Sequence, residues 1–268
     1  MADRTDSLTF VGTATTLIRM GGFSVLTDPN FLHRGQRAYL GKGLWLRRLT
    51  EPSHQPEDLP ALDAVVLSHL HGDHFDRVAR RRLSRDQPVI TTPAAARRLT
   101  DWGFAALGLE TWSSTRLERP GESLTVEALP GIHARGLMGA LLPPVMGSLL
   151  VHRVDGAVRR TTYLTGDTLT GEHVSEIARR HPGIDTVVAH LGGTRVLLHT
   201  VTMDAEQGVD LVRRIGPGEV VPVHYDDYRV FRSPLSAFVG AYRESGLTAT
   251  LRQVRRGETL ELGDPVER

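Results

Sequence analysis

The stretch from Ala64 to Leu83 constrains this chain more than any other part of it. Ala64-Val-Val-Leu67 reads as a short buried strand and the basic run Arg77 to Leu83 as a helix, so Ser68-His-Leu-His-Gly-Asp-His74 is the turn between them. His69 and His71 are separated by one residue, and an extended backbone there points both imidazoles to one side as two ligands for one metal. Gly72 permits a tight turn that aims Asp73 and His74 at a second ion beside the first. Neither core packing nor a solvated face explains three histidines and an aspartate packed so closely.

Such metals must rest on imidazole and carboxylate, because the chain has no cysteine. That absence also excludes disulfides and a cysteine nucleophile, and it fits a reducing compartment. At 268 residues, with 40% hydrophobic and 24% charged residues, the composition is that of a folded protein large enough for a substantial core. Lys plus Arg number 32 against 31 Asp plus Glu, so no overall field draws nucleic acid or an anionic membrane, and nucleic-acid partners are not expected. Met1 to Leu8 contains acids and lacks the apolar run of a signal peptide, and no apolar stretch is long enough to span a bilayer. Cytoplasmic residence is the expectation, and a homo-oligomer stays open.

Leu8 to Asp28 reads as strands broken at Gly12 and Gly21-Gly22. Residues 31 to 60 then read as a long functional loop carrying Trp45 and five cations (Arg34, Arg37, Lys42, Arg47, Arg48), with no acid before Glu51. A helix fits Pro93 to Leu99, and β-type runs recur at Ser123 to Leu129, Ser148 to Val154 and Thr161 to Thr165. Asp204 to Ile215 is an amphipathic helix, and Ser233-Pro234 is expected to cap another that runs toward Gly246. This order predicts an α/β protein of two mixed β-sheets flanked by helices, a four-layer αβ/βα sandwich. With no repeat, low-complexity tract or linker in the sequence, residues 1–268 are expected to form a single domain.

His69-Leu-His-Gly-Asp73-His74 resembles the His-x-His-x-Asp-His signature of the metallo-β-lactamase superfamily. The resemblance implies three further ligands: His133 in Pro130-Gly-Ile-His, Asp167 in Thr165-Gly-Asp-Thr168, and His224 after Glu219-Val-Val-Pro-Val. By carry-over, His69, His71 and His133 bind one metal, Asp73, His74 and His224 the other, and Asp167 bridges them. Two divalent ions are therefore implied, zinc favoured, with manganese or iron compatible with the same ligands. Two metals roughly 3.5 to 4 Å apart hold a bridging water, lower its pKa and polarise the electrophile. Asp73 is then also placed to orient that water, and Asp28 resembles the family's acid that braces the His-rich loop.

Gly12-Thr-Ala-Thr-Thr and Leu26-Thr-Asp-Pro-Asn-Phe31 resemble the branch that includes N-acyl-phosphatidylethanolamine phospholipase D and the ascorbate-6-phosphate lactonase. One departure is plain, since Thr13 stands where that branch often has His. His199, ahead of the acidic Asp204-Ala-Glu206, is similar to a histidine of that branch that faces substrate, which implies a role in stabilising charge or protonating a leaving group. The other histidines, His190 among them, have no supporting spacing and read as ordinary core or surface residues. Arg34, Arg37 and Trp45 are candidates for binding an anionic substrate with an apolar portion, and residues 136 to 151 for an apolar wall beside the metals. The expected activity is hydrolysis of a phosphodiester or a phosphorylated lactone or ester. Iron-dependent redox chemistry on the same cage and nuclease-type phosphodiester cleavage are the alternatives.

Overall fold

Side chains that alternate between two buried faces build both large sheets of this protein. Ala64 and Val66 enter one apolar core while Val65 and Leu67 enter another, and Val221 and Val223 part from Val220 in the same way. Such strands are covered on both sides, so they read as continuous apolar runs rather than as alternation of apolar and polar residues. The computed structural model describes residues 5–41, 43–136, 139, 142–196 and 199–266.

The first sheet contains β1 (Ser7–Gly12), β2 (Thr15–Met20), β3 (Phe23–Thr27), β6 (Ala64–Val66), β7 (Val89–Thr91), β8 (Ala106–Gly108) and β18 (Thr259–Glu261), in the order β18-β1-β2-β3-β6-β7-β8. The second contains β9 (Ser114–Arg119), β10 (Glu122–Pro130), β11 (Met146–Val154), β12 (Ala157–Leu164), β13 (Thr186–His190), β16 (Glu219–Val223) and β17 (Thr250–Leu251), in the order β17-β16-β13-β12-β11-β10-β9. Each sheet runs through three antiparallel pairings and then three parallel ones. The halves of the chain thus repeat a topology that their sequences do not repeat.

Leu8, Phe10, Val25, Leu124, Leu150 and Val188 belong to a cluster drawn from both sheets, which therefore pack face to face. Helices α1 (Arg77–Arg82) and α2 (Pro93–Asp101) cover the first sheet through Ala79 and Leu99. Helices α3 (Glu172–Arg180), α4 (Ala205–Ile215) and α5 (Leu235–Glu244) cover the second through Val174, Val212 and Phe238. The result is the expected four layers, with two mixed sheets inside and helices outside.

Two local expectations need correction. The Ser233 hydroxyl accepts the Ala205 N–H at 3.0 Å, so it serves the start of α4, while α5 starts from Pro234 with no side-chain cap. The stretch from 31 to 60 is not structureless: β4 (Arg37–Tyr39) and β5 (Trp45–Arg47) form a hairpin, and Pro56–Asp58 is a 3₁₀ turn. Lys42 lies outside the described residues.

Asp76 ties this loop to the helix that follows the His-rich turn. One carboxylate oxygen accepts the N–H groups of Val78 and Ala79 at 2.8 Å, capping α1, and the other accepts those of Phe31 and Leu32 at 2.6 Å. Asp76→Ala leaves buried donors without acceptors, and we expect it to lower the unfolding free energy by about 2–4 kcal/mol in urea titrations.

Candidate metal centre

Strand direction puts the carboxyl ends of β1, β3 and β6 along one edge of the first sheet, and those of β10, β12, β13 and β16 along one edge of the second. Asp28 follows β3, the His-rich turn follows β6, His133 follows β10, Asp167 follows β12, His190 ends β13 and His224 follows β16. Rigid strands thereby deliver side chains from distant parts of the sequence to one place. Thr13, Asp28 and His224 have φ of 55°, 38° and 64°, so three of the five non-glycine residues with positive φ among the described residues border this site. Backbone strain of that kind persists only where surrounding contacts fix it.

His69, His71 and His133 offer ring nitrogens that lie within 4.8 Å of one another, and Asp73, His74, Asp167 and His224 do the same. The seven residues singled out in the sequence are thus brought together, with Asp167 grouped with Asp73, His74 and His224, and Asp28, His74 and His190 form a third such group. The His69 Nε2 and His71 Nδ1 atoms are 2.8 Å apart, a separation that needs a proton or a cation between the two lone pairs. His74 Nε2 lies 3.3 Å from Asp167 Oδ2, and His224 Nε2 lies 3.6 Å from Asp73 Oδ2. Five buried atoms here have no hydrogen-bond partner: Asp73 Oδ1, His74 Nε2, His133 Nε2, Asp167 Oδ1 and His224 Nε2. Orphaned polar atoms in a dry interior are costly. Their convergence on shared points fits cation ligation by residues whose softness suits zinc, manganese or iron.

The two groups differ electrostatically. Burial, reinforced by the neighbouring imidazoles, holds His69 well below its ordinary value, and burial likewise moves His71 down to about 4 and lowers His133. Neutral imidazole is the form that binds a metal. Burial alone would depress His74 and His224 too, but Asp167 and Asp73, with Asp28 also acting on His74, outweigh it and raise both. The Asp167 carboxyl is held well below the carboxylate range, because His224 and His74 more than offset its desolvation.

Behind the ligands stands a second tier of contacts. The Asp28 carboxylate accepts the Ser68 N–H at 2.7 Å and lies 3.3 Å from His74 Nδ1 and 3.2 Å from His190 Nε2. His133 Nδ1 is 2.8 Å from the Val201 carbonyl, the Thr202 hydroxyl donates to Asp167 at 3.1 Å, and His224 Nδ1 is 3.2 Å from the Leu191 carbonyl. Each of these fixes a ring or carboxylate in one orientation. His190, which reads as an ordinary histidine in the sequence, is buried here, and its Nδ1 lies 3.2 Å from the Thr165 hydroxyl. Its position at a strand end just before Gly192-Gly193, like that of the other site residues, was the available signal.

The remaining candidates lie around this core. The hairpin β4–β5 rests on the His-rich turn: the Gly72 N–H donates to the Tyr39 carbonyl at 2.9 Å, and a Cβ on Gly72 would lie 2.5 Å from that oxygen. Trp45 is 54% exposed and packs against Tyr39 with ring centroids 4.8 Å apart, Arg37 and Arg47 are exposed on the same hairpin, and Arg34 is exposed just before it in sequence. Arg48 departs from the expected solvated or anion-attracting cation, since it is fully buried and paired with Asp227. His199 sits on β15 (His199–Thr200), which pairs with β14 (Arg195–Val196), and it lines a cleft of about 400 Å³ with Arg135, Thr170 and Gln207. Its ring makes no hydrogen bond or ion pair with the seven cage residues. Residues 146–151 of the expected apolar wall are β11 core, and 137, 138, 140 and 141 lie outside the described residues.

A family described as the beta-lactamase superfamily domain matches residues 24–225. An uncharacterized protein of Mycobacterium tuberculosis is 27% identical over 85% of this chain, which spans 60% of that relative's length. The N-acyl-phosphatidylethanolamine-hydrolyzing phospholipase D 1 of Caenorhabditis elegans is 32% identical over 48% of this chain and 38% of its own. Among solved structures, the isothiocyanate hydrolase from Delia radicum gut bacteria superposes with a TM-score of 0.80 at 22% identity, covering 95% of this chain and 98% of its own. CmlA, a diiron beta-hydroxylase from Streptomyces venezuelae, gives a TM-score of 0.64 at 18% identity, covering 97% and 55%. At those identities the likeness is one of fold.

Burial alone would push the Asp28 carboxyl up, but His74 and His190 outweigh it and hold it well below the carboxylate range. A depressed carboxyl contributes stability that is present above its unfolded value of about 4 and is lost as pH falls from there toward the folded value. In metal-free protein, Asp28→Asn is therefore expected to lower stability at neutral pH and to flatten the loss below about pH 4, measured by denaturant unfolding across pH.

Proposed function

Because the chain belongs to the beta-lactamase superfamily domain family, we propose that it is a dinuclear metal-dependent hydrolase of phosphodiesters or phosphorylated lactones or esters. The observation that carries the metal reading is the convergence of seven side chains, six of them buried and His71 half-buried, with five orphaned polar atoms. His69, His71 and His133 would hold one ion and Asp73, His74 and His224 the other, with Asp167 as a ligand to both. Divalent ions in this cage, zinc first and manganese or iron next, would supply Lewis acidity and a water of lowered pKa. All 268 residues serve this one hydrolase domain.

Around that centre the chain's own groups have distinct tasks. Asp73 orients the attacking water through Oδ1, the carboxylate oxygen that has no hydrogen-bond partner. Arg34 and Arg37 attract the anionic part of a small-molecule substrate, while Trp45 gives an apolar surface for the rest. His199, across the cleft that Arg135 also lines, donates a proton or hydrogen bond to the leaving group. The relative that hydrolyses N-acyl-phosphatidylethanolamine supports the phosphodiester class. No helix among the described residues is long and apolar enough to cross a membrane.

The fold shared with a diiron beta-hydroxylase favours one other reading, oxidation chemistry on iron. Metal analysis of protein purified without added metal separates them: colourless zinc supports hydrolysis, and iron with a visible absorption band supports redox. At saturating metal we expect two ions per chain, and a stoichiometry of one sinks the dinuclear version. In a panel of phosphodiesters, lactones, thioesters and β-lactams we expect the first two classes to lead. His199→Ala is expected to lower turnover on the order of 10²-fold with metal content unchanged. Full activity of that variant, or a clear preference for β-lactams or thioesters, defeats the substrate assignment and leaves the cage standing.

A further inference from the structure

Arg48 is a costly residue to bury, and its partners suggest what it is for. Its side chain is fully enclosed, in a space that exists because Gly12 has no side chain: a Cβ there would lie 2.7 Å from Arg48 Nη2. Nη1 donates to the Asn30 carbonyl at 2.9 Å and also to Asn30 Oδ1, and Nη2 meets Asp227 Oδ1 at 3.3 Å. From Asn30 the network continues directly into the His-rich turn, because Asn30 Nδ2 donates to the Gly72 carbonyl at 2.9 Å. From Asp227 it continues to the last ligand: Asp227 Oδ2 accepts the Thr13 N–H at 2.8 Å, and the Thr13 carbonyl accepts the His224 N–H at 2.7 Å. One residue, Asn30, therefore separates the guanidinium from Gly72, and two, Asp227 and Thr13, separate it from His224.

A buried ion pair adds little net stability over an apolar replacement of the same volume, so stability alone is a poor reason for this one. A planar fork that donates to two loops at fixed angles imposes geometry, which a lysine ammonium does not reproduce. We infer that Arg48 is a positioning residue of the metal centre, holding the Gly72 turn and the His224 loop at a fixed separation through Asn30 and Asp227. The inference rests on the dinuclear cage proposed above. It gives the long basic loop a second task, since the residue that anchors the loop also sets the ligands. His133 and Asp167 are held instead by Val201 and Thr202, outside this network. Loss of the network should thus weaken the Asp73, His74 and His224 side more than the three-histidine side.

The test is a competition titration of zinc against a chromophoric chelator on wild type, Arg48→Lys and Asn30→Ala, with melting of each metal-free protein recorded alongside. Asn30→Ala leaves the Arg48–Asp227 pair in place, so the test survives if Arg48→Lys does not fold. We expect the second zinc to bind about 10- to 100-fold more weakly in both variants, the loss reported for residues that orient ligands, with a smaller change for the first. Cobalt-substituted variants should show altered visible spectra at the second site. Unchanged zinc affinities with lowered metal-free melting overturn the inference and leave Arg48 a purely structural residue. A wild type that takes up one ion or none overturns the cage reading, and this inference with it.

Discussion

The arrangement depends on a buried seam of charge where the edges of two sheets meet. Asp28 and His74 come from the first sheet and Asp167 and His190 from the second, yet His74 lies 3.3 Å from both carboxylates and Asp28 lies 3.2 Å from His190. Isolated, any of these groups would be expensive to remove from water. Together they compensate one another only when the carboxyl ends of both sets of strands lie side by side. The apolar faces of the sheets supply the driving force for packing but not this alignment, because hydrophobic contact is non-directional. The seam supplies the alignment, and the ligands inherit it.

What the sequence revealed follows from how far each relation reaches along the chain. Apolar runs and helix faces show within a few residues, so Ala64 to Leu67 disclosed a buried strand, and Val209 and Val212 a helix face, locally. The His69 to His74 turn was as local, and it carried the metal chemistry. His133, Asp167 and His224 lie in short motifs that mean little alone; they entered through resemblance, and the structure brings them to the turn. Arg48 was opaque because its partner Asp227 is 179 residues away, and an arginine beside other cations looks solvated. His190 was opaque for the same reason, its contact with Asp28 spanning 162 residues. The hairpin of the long loop has strands of three residues, too short for a period to show.

Fold and chemistry separate at the loops. The solved structures that superpose on this chain are named for reactions as unlike as isothiocyanate hydrolysis and beta-hydroxylation. Function on a shared fold resides chiefly in loops, and around the candidate metal centre these are the Tyr39–Trp45 hairpin and the cleft beside His199. At the hairpin the backbones meet closely, since Gly72 has no room for a side chain under Tyr39. A change in the hairpin is therefore felt by the ligand turn directly.

The pairing of β18 with β1 has a consequence for how the molecule is made. Leu8 sits opposite Leu260 and Thr9 meets Thr259, 250 residues further along, so the strand that covers the outer side of β1 is made long after β1 itself. Throughout synthesis the outer side of β1 is an open row of unpaired N–H and C=O groups, the kind of edge that recruits stray strands. The second sheet faces no such wait on its β9 side, where β9 and β10 are neighbours in sequence. In the nascent chain β1 therefore keeps an open outer side long after its pairing with β2 can form.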